Sequence, residues 1–213
     1  MLAGYRIGLY EHSSVARDFL HDLFTSLGAE VVRLGRSDDF VPIDTEAVNI
    51  DDQVRAKEWC DEHRLDAVVT TDGDADRPLI FDENGDCLRG KAIGILTATY
   101  LGADAASTPV CSNAALEITG MFQRVVRTRI GSPYVIAGMH RLAEGGGSIV
   151  VGYEANGGFL LGSSVHLDGR KLDPLPTRDA TLPILSIFAL ARRLGVPISG
   201  LPVMLPGRHT ASG

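Results

Sequence analysis

Residues 68–77 read VVTTDGDADR, and this stretch decides the fold. Its four β-branched residues predict a strand, and three aspartates follow at every second position. The chain then runs through an apolar segment, residues 79–82, to the Asn-Gly pair at residues 84–85, which is typical of a tight hairpin, and returns through residues 87–88. We therefore expect a buried strand that ends in an acidic turn and continues into a hairpin.

The residues before this stretch predict a β-α-β unit. Strands are expected at residues 6–10 and 30–34, with a parallel sheet behind them, and a second helix at residues 52–63. Ser13 or Ser14 can cap the start of the first helix. The apolar stripe of that helix is expected to consist of Val15, Phe19, Leu23 and Leu27.

The residues after the hairpin repeat the pattern, so the fold class is α/β with two similar three-layer α/β/α domains and mixed sheets. Helices are expected at residues 91–101, 134–142 and 179–194, and strands at residues 109–111, 125–130, 148–152 and 159–161. We expect one domain at residues 1–86 and another at 87–200. Residues 201–213, rich in Gly and Pro, are expected to be a linker.

Composition narrows the classes of partner. The 213-residue chain has a net charge of −7, which argues against a nucleic acid partner because phosphate backbones attract clustered Lys and Arg. No stretch approaches the ~18 apolar residues that cross a bilayer, so no membrane partner is expected. The three cysteines form no CxxC pair, which favours a reducing, cytoplasmic location.

The three aspartates Asp72, Asp74 and Asp76 are the candidate metal ligands. They follow a strand, and the carboxyl ends of strands are where α/β sheets bind ligands. Hard carboxylate oxygens that converge from one loop suit Mg²⁺, and without a cation they would raise one another's pKa. Gly73 is expected to permit the sharp turn. A solvated acidic turn without a metal is the alternative.

A calcium-binding EF-hand is a second alternative. Asp72, Asp74, Asp76 and Glu83 match positions 1, 3, 5 and 12 of its loop. However, Arg77 stands where that loop needs glycine, and a strand former precedes the loop where an EF-hand has a helix. These two mismatches argue against calcium.

The DGDADR motif at residues 72–77 resembles the metal-binding loop of the α-D-phosphohexomutases, the phosphomannomutase/phosphoglucomutase type. Residues 152–158, GYEANGG, resemble that family's sugar-binding loop, usually G-E-x-S-G-H. Glu154 and Gly157 match, while Asn156 replaces the serine and Gly158 the histidine. Asn156 can still hydrogen bond to a hydroxyl.

The resemblance also implies site residues and a reaction. It implies Mg²⁺ on the three aspartates, a catalytic contact from Arg77 to the phosphoryl group, and sugar binding by Glu154, Asn156 and Gly157. Ser132 is a further sugar-site candidate, because residues 130–135 fall where the family's third domain has a turn. The implied reaction moves phosphate between O6 and O1 of a hexose phosphate, mannose or glucose, through a phosphoserine and a bisphosphate.

Residues 1–213 do not contain the family's phosphoserine loop, T-A-S-H-N-P. Thr210 to Ser212 mimic part of it but lack the His-Asn-Pro. The resemblance therefore implies the second and third domains only, with the first and fourth domains of the same enzyme as partners. A non-catalytic module that binds Mg²⁺ and a sugar phosphate is the alternative function. A phosphatase with an aspartate nucleophile is disfavoured, because its DxDxT motif is not at the end of the first strand.

Overall fold

The computed structural model describes residues 1–112 and 120–205. The first half of the chain forms one five-stranded sheet and two helices. Its elements are β1 (Arg6–His12), α1 (Arg17–Ser26), β2 (Glu30–Arg36), α2 (Ile50–His63), β3 (Ala67–Thr71), β4 (Pro78–Asp82) and β5 (Cys87–Leu88).

The second half forms another five-stranded sheet, with a two-stranded hairpin beside it. Its elements are α3 (Gly90–Leu101), β6 (Ala105–Pro109), β7 (Arg124–Thr128), α4 (Ser132–Glu144), β8 (Val150–Tyr153), β9 (Phe159–Leu161), β10 (Val165–Leu167), β11 (Arg170–Leu172), β12 (Leu175–Asp179), α5 (Thr181–Leu194) and α6 (Gly200–Val203). Strands β10 and β11 form the hairpin, which is inserted before the last strand of the sheet.

The two sheets have the same topology. In the first, the order is β2-β1-β3-β4-β5. Strand β1 is parallel to β2 and β3, β4 is antiparallel to β3, and β5 is antiparallel to β4. In the second, β7-β6-β8-β9-β12 repeats that order and those directions. The predicted fold class, two similar α/β domains with mixed sheets, is confirmed.

The two sheets share a layer of helices. Helix α2 covers the outer face of the first sheet, and α4 covers the outer face of the second. Helix α3 lies between the sheets, with Ile93 and Leu96 in the first core and Ile95 and Ala98 in the second. The last long helix, α5, buries most of its apolar side chains in the first core, together with Leu201 of α6.

Half of the predicted stripe of α1 is wrong, although Leu23 and Leu27 pack against the first core as expected. Val15 and Phe19 are 76% and 60% exposed, whereas Leu20 and Phe24 are fully buried. An α-helix has 3.6 residues per turn, so residues at a strict spacing of four shift steadily around the helix axis. The helix begins at Arg17 and puts Leu20 and Phe24 at the centre of its buried face, which leaves Val15 before the helix.

Two other expectations need correction. The strand expected at residues 109–111 is instead β6, Ala105–Pro109, and Val110 is exposed. Small residues predict strands poorly, but this one is central and buried on both faces, so packing decides. The expected linker begins with α6, whose Leu201 is completely buried. Residues 206–213, including the Thr210 to Ser212 mimic, lie outside the described residues.

The other predicted elements are confirmed within a few residues at each end. The Asn-Gly pair at residues 84–85 lies between β4 and β5, which pair antiparallel as expected. Among residues 1–112 and 120–205, every helix is too short or too polar to cross a membrane.

Candidate functional site

Residues 72–77, here called the acidic loop, connect β3 to β4. The backbone N–H of Asp72 donates to the carbonyl of Arg77 at 3.1 Å, and that of Ala75 to the carbonyl of Asp72 at 3.2 Å, so the loop is closed by its own backbone. Ala75 has a left-handed conformation with φ of 65°. The expectation that Gly73 makes the turn is therefore wrong, because the strained position belongs to Ala75.

The acidic loop brings its three carboxylates together. One oxygen from each of Asp72, Asp74 and Asp76 lies within 4.8 Å of the others. The backbone N–H groups of Asp76 and Arg77 both donate to Oδ1 of Asp72, each at 3.1 Å. Oδ1 of Asp76 is buried and accepts no hydrogen bond from any residue that the structure describes. Burial raises the pKa of Asp72, and the charges of Asp74 and Asp76 raise it further.

Residues at the start of the chain support the acidic loop from behind. Nε2 of His12 donates to the carbonyl of Thr71 at 2.9 Å, and the hydroxyls of Ser14 and Thr71 lie 2.8 Å apart. Val15 donates to the carbonyl of Gly73 at 3.1 Å. Burial lowers the pKa of His12, which favours the neutral ring. The expectation that Ser13 or Ser14 caps α1 is wrong, because Ala16 is the N-cap residue and no side chain caps this helix. The hydroxyl of Ser14 instead accepts from the N–H of Ala16 at 3.2 Å.

Residues 154–158, here called the glutamate loop, connect β8 to β9. Glu154 donates its backbone N–H to the carbonyl of Gly158 at 3.0 Å, and Gly157, with φ of 90°, donates to the carbonyl of Glu154 at 3.1 Å. The side-chain oxygen of Asn156 accepts from the N–H of Gly158 at 3.0 Å. The loop is therefore held rigid while the Glu154 side chain stays available.

Glu154 is buried, with 5% of the residue exposed. Its carboxylate receives one hydrogen bond from a side chain within the described chain. The donor is the hydroxyl of Ser132, at the start of α4, at 3.1 Å from Oε2. The structure therefore brings together Ser132 and Glu154, which the sequence placed 22 residues apart.

The acidic loop and the glutamate loop face each other. Arg178, on β12, lies between them, with one N–H group 2.5 Å from Oδ2 of Asp76 and another nitrogen 3.8 Å from Oε2 of Glu154. A Cβ on Gly157 would be 3.2 Å from the ring of Pro78, which follows the acidic loop. Sequence reasoning missed Arg178, because it lies in no motif and 24 residues after Glu154.

Arg77, the predicted catalytic residue, folds back over its own loop. Its Nε lies 3.4 Å from Oδ2 of Asp72 and 3.5 Å from Oδ1 of Asp76. The guanidinium therefore offsets part of the negative charge of the loop. An EF-hand is excluded, because strand β3 precedes the loop and the carboxylate of Glu83 accepts from the backbone N–H of Ser199 at 3.2 Å.

A cavity of about 540 Å³ opens beside the glutamate loop at Ala155. Arg89 and Lys91 lie in its wall on either side of Gly90, the first residue of α3. Neither side chain forms an ion pair with another residue in the described ranges. The cavity thus offers two cations and a helix N-terminus, a combination that suits an anionic ligand.

Comparison with known proteins gives two adjacent family matches. The α/β/α domain II of phosphoglucomutase/phosphomannomutase matches residues 2–85, and domain III of the same family matches residues 89–204. Together these matches cover nearly the whole chain.

Several known proteins are similar over the same length. The phosphomannomutase of Salmonella muenchen is 51% identical over 211 residues, which are 99% of this chain and 44% of that protein. The phosphomannomutase of Sinorhizobium fredii is 46% identical over 97% of this chain and 45% of its own length. A phosphoglucomutase/phosphomannomutase family protein of Burkholderia thailandensis has the same fold, with a TM-score of 0.71, 16% identity, and coverage of 98% of this chain and 44% of that one. The chain spans less than half the length of the curated relatives named here.

Proposed function

The chain belongs to the phosphoglucomutase/phosphomannomutase family, and we propose that it contributes the metal loop and the sugar loop of a phosphohexomutase. Residues 1–88, which contain β1 to β5, form its metal-binding domain, and residues 89–200 form its sugar-binding domain. The observation that carries this proposal is the bridge from Arg178 to both Asp76 and Glu154, because it puts the two loops around one space.

The acidic loop fits a Mg²⁺ ion. Asp72, Asp74 and Asp76 offer three hard oxygen ligands from one turn, and Oδ1 of Asp76 is buried without a donor in the described chain. When bound, the ion supplies positive charge next to a transferring phosphoryl group. Arg77 donates to the phosphoryl oxygens from the same turn, since a planar guanidinium suits such oxygens.

The glutamate loop fits a sugar. The carboxylate of Glu154, held by the hydroxyl of Ser132, accepts hydrogen bonds from sugar hydroxyls. Asn156 and Gly157 shape the turn that presents it. The adjacent cavity, with Arg89 and Lys91, has room and positive charge for an anionic group.

The complete protein would interconvert hexose 6-phosphate and hexose 1-phosphate, with mannose or glucose as the hexose. Its phosphoserine and the fourth domain that binds the substrate phosphate would come from polypeptide outside residues 1–213. The second candidate is a non-catalytic module that binds Mg²⁺ and a sugar phosphate. It is favoured by one observation, that residues 1–213 contain no T-A-S-H-N-P motif.

Metal binding tests the proposal first. Mn²⁺ would replace Mg²⁺ as an EPR probe and be titrated into the chain and into Asp72→Asn, Asp76→Asn and a matched control, Asp22→Asn, on the exposed surface of α1. We expect millimolar binding that each loop variant weakens at least tenfold and the control leaves unchanged. Equal binding by the loop variants and the control would contradict the metal assignment.

Reconstitution separates the two candidate functions. The chain would be mixed with a polypeptide that carries the first and fourth domains of the Salmonella muenchen relative, together with mannose 1-phosphate, Mg²⁺ and a hexose 1,6-bisphosphate. Turnover that needs both polypeptides supports the mutase. Binding of metal and sugar phosphate without any turnover in the mixture supports the non-catalytic module.

A further inference from the structure

We propose that Arg178 is a substrate-binding residue of the glutamate loop, and that it shares one hydroxyl group of the hexose phosphate with Glu154. This inference rests on the proposed function and adds a residue from a different strand to that site. Three observations carry it: the gap between Arg178 and Glu154, the room over Gly158, and the donors that Arg178 keeps free.

The two side chains are close enough for one hydroxyl that lies beside them to reach both. A nitrogen of Arg178 lies 3.8 Å from Oε2 of Glu154, which is too long for a hydrogen bond and short enough for an ion pair. A hydroxyl group can accept from a guanidinium and donate to a carboxylate at the same time. One sugar hydroxyl placed against both groups satisfies each of them, whereas a phosphate oxygen would be repelled by the carboxylate.

Gly158, which has no side chain, leaves room for the side chain of Arg178. A Cβ on Gly158 would lie 3.0 Å from Cδ and 3.2 Å from Cγ of Arg178, so the arginine stem lies directly against this residue. Gly158 stands where the G-E-x-S-G-H motif has histidine. The arginine thus occupies the side of the loop that a residue-158 side chain would fill, and it brings a permanent positive charge there.

The guanidinium is anchored at one end only. One nitrogen lies 2.5 Å from Oδ2 of Asp76, and the side chain is 28% exposed. No other hydrogen bond joins it to residues 1–112 or 120–205, so the remaining N–H groups can reach a ligand. Within the same ranges it is also the one cation within 4 Å of Glu154.

Binding of monodeoxy analogues tests the shared hydroxyl. Mannose 1-phosphate and its monodeoxy analogues would be titrated into the chain and into Arg178→Gln, Arg178→Lys and Glu154→Gln, with Arg170→Gln on the exposed β10–β11 hairpin as the matched control. We expect Arg178→Gln to weaken binding of the parent sugar about tenfold, Arg178→Lys to weaken it less, and the control to leave it unchanged. To the unchanged chain, one deoxy analogue should bind about tenfold more weakly than mannose 1-phosphate does. To Arg178→Gln, that analogue and mannose 1-phosphate should bind equally well.

The outcomes separate this inference from the proposed function. If Glu154→Gln weakens binding and Arg178→Gln does not, Arg178 is no part of the site and the inference is overturned. If neither variant weakens binding, the glutamate loop is not the sugar site and both fail. The same holds if the unchanged chain binds no sugar phosphate.

The thermal stability of variants at positions 158 and 178 tests whether Arg178 occupies the space that a side chain at position 158 would fill. Gly158→His should lower the thermal midpoint of the chain, because its Cβ meets the stem of Arg178. In the Arg178→Ala background the same substitution should cost less, although its Cβ still lies 3.1 Å from Oδ1 of Asn156, and the double variant should bind mannose 1-phosphate more tightly than Arg178→Ala alone. An equal cost in both backgrounds would mean that Arg178 does not occupy this space.

Discussion

The acidic loop and the glutamate loop hold the same place in the repeated topology. Each connects the third strand of its sheet to the antiparallel fourth strand, β3 to β4 in the first sheet and β8 to β9 in the second. The first gathers three carboxylates in one turn, whereas the second presents Glu154 alone. The repeated scaffold decides where a ligand can bind, and the residues of the loop decide which one.

The two loops also differ in how they are held. The acidic loop is closed by its own backbone and left open at Gly73, where a Cβ would only touch Phe40 at 3.6 Å. The glutamate loop is pressed against α3, where a Cβ on Gly90 would lie 2.4 Å from the backbone N of Gly157. A metal ion can draw together carboxylates from a loop that has free space beside it, but a neutral hydroxyl needs a carboxylate that is already in position.

The largest expected effect is on mutase turnover, which needs a phosphoryl carrier that neither loop supplies. The 213-residue chain alone should show no mutase turnover with mannose 1-phosphate, Mg²⁺ and a hexose 1,6-bisphosphate, because neither loop offers a covalent carrier for the phosphoryl group. The loss should be many orders of magnitude in rate relative to a complete enzyme. Robust turnover that survives Ser212→Ala would place the carrier inside this chain and break the proposed division of roles.

The next effect compares the packing of the two loops. Gly90→Ala should destabilise the chain by about 3 kcal/mol, because the new methyl group meets backbone atoms of the glutamate loop. Gly73→Ala, its control in the acidic loop, should change stability by no more than about 0.5 kcal/mol. Urea denaturation measures both, and similar midpoints for the two variants would show that α3 does not press on the glutamate loop.

A smaller effect compares the left-handed residues of the two loops. Gly157→Ala should cost about 1–2 kcal/mol, because φ of 90° strains a residue with a Cβ. Ala75 already carries that strain at φ of 65°. Ala75→Gly should therefore change stability by less than about 0.5 kcal/mol, since relief of strain offsets the greater freedom of the unfolded chain. Thermal midpoints of the two variants test this prediction, and a large loss of stability in Ala75→Gly would contradict the left-handed conformation of Ala75.

The smallest effect is electrostatic and depends on pH. Without metal, Asp74→Asn should stabilise the chain at pH 7 by about 0.5 kcal/mol, because like charges repel. The pKa of Asp72 is raised in the folded chain, so its ionisation disfavours folding above that pKa, and the gain should vanish as the pH falls from 7 to an acidic value at which Asp72 is protonated. Saturating Mg²⁺ should reverse the sign at pH 7. Urea midpoints in EDTA and in Mg²⁺ at both pH values measure this, and a pH-independent gain would contradict it.

Most of the fold could be predicted from the sequence, because long apolar runs and the Asn-Gly hairpin carry local signals. The central strand β6 was misplaced, since Ala105 and Ala106 form a strand only through burial between β7 and β8. Val15 and Phe19 were wrongly assigned to the buried stripe of α1, because a spacing of four is only approximately helical. Local patterns reveal elements, whereas packing sets their limits and their buried faces.

The candidate site was predictable where its residues are adjacent in sequence. The aspartates of the acidic loop and Glu154 were identified from motifs, and the structure brings each group to the end of its strand. Arg178 was not, because it reaches the site from the strand after the inserted β10–β11 hairpin. Ser132 is a candidate from its place in the third-domain turn, and only the fold shows its hydrogen bond to Glu154.

The helix layer shared by the two sheets governs the order in which the chain can fold during synthesis. Strands β1 to β5 are complete by residue 88, yet the apolar face they present is covered by Ile184, Phe188 and Leu201. The part of that face beneath α5 and α6 therefore stays exposed until residues 184–201 have been synthesised. Exposed apolar surface of this kind makes a partly synthesised chain prone to aggregation.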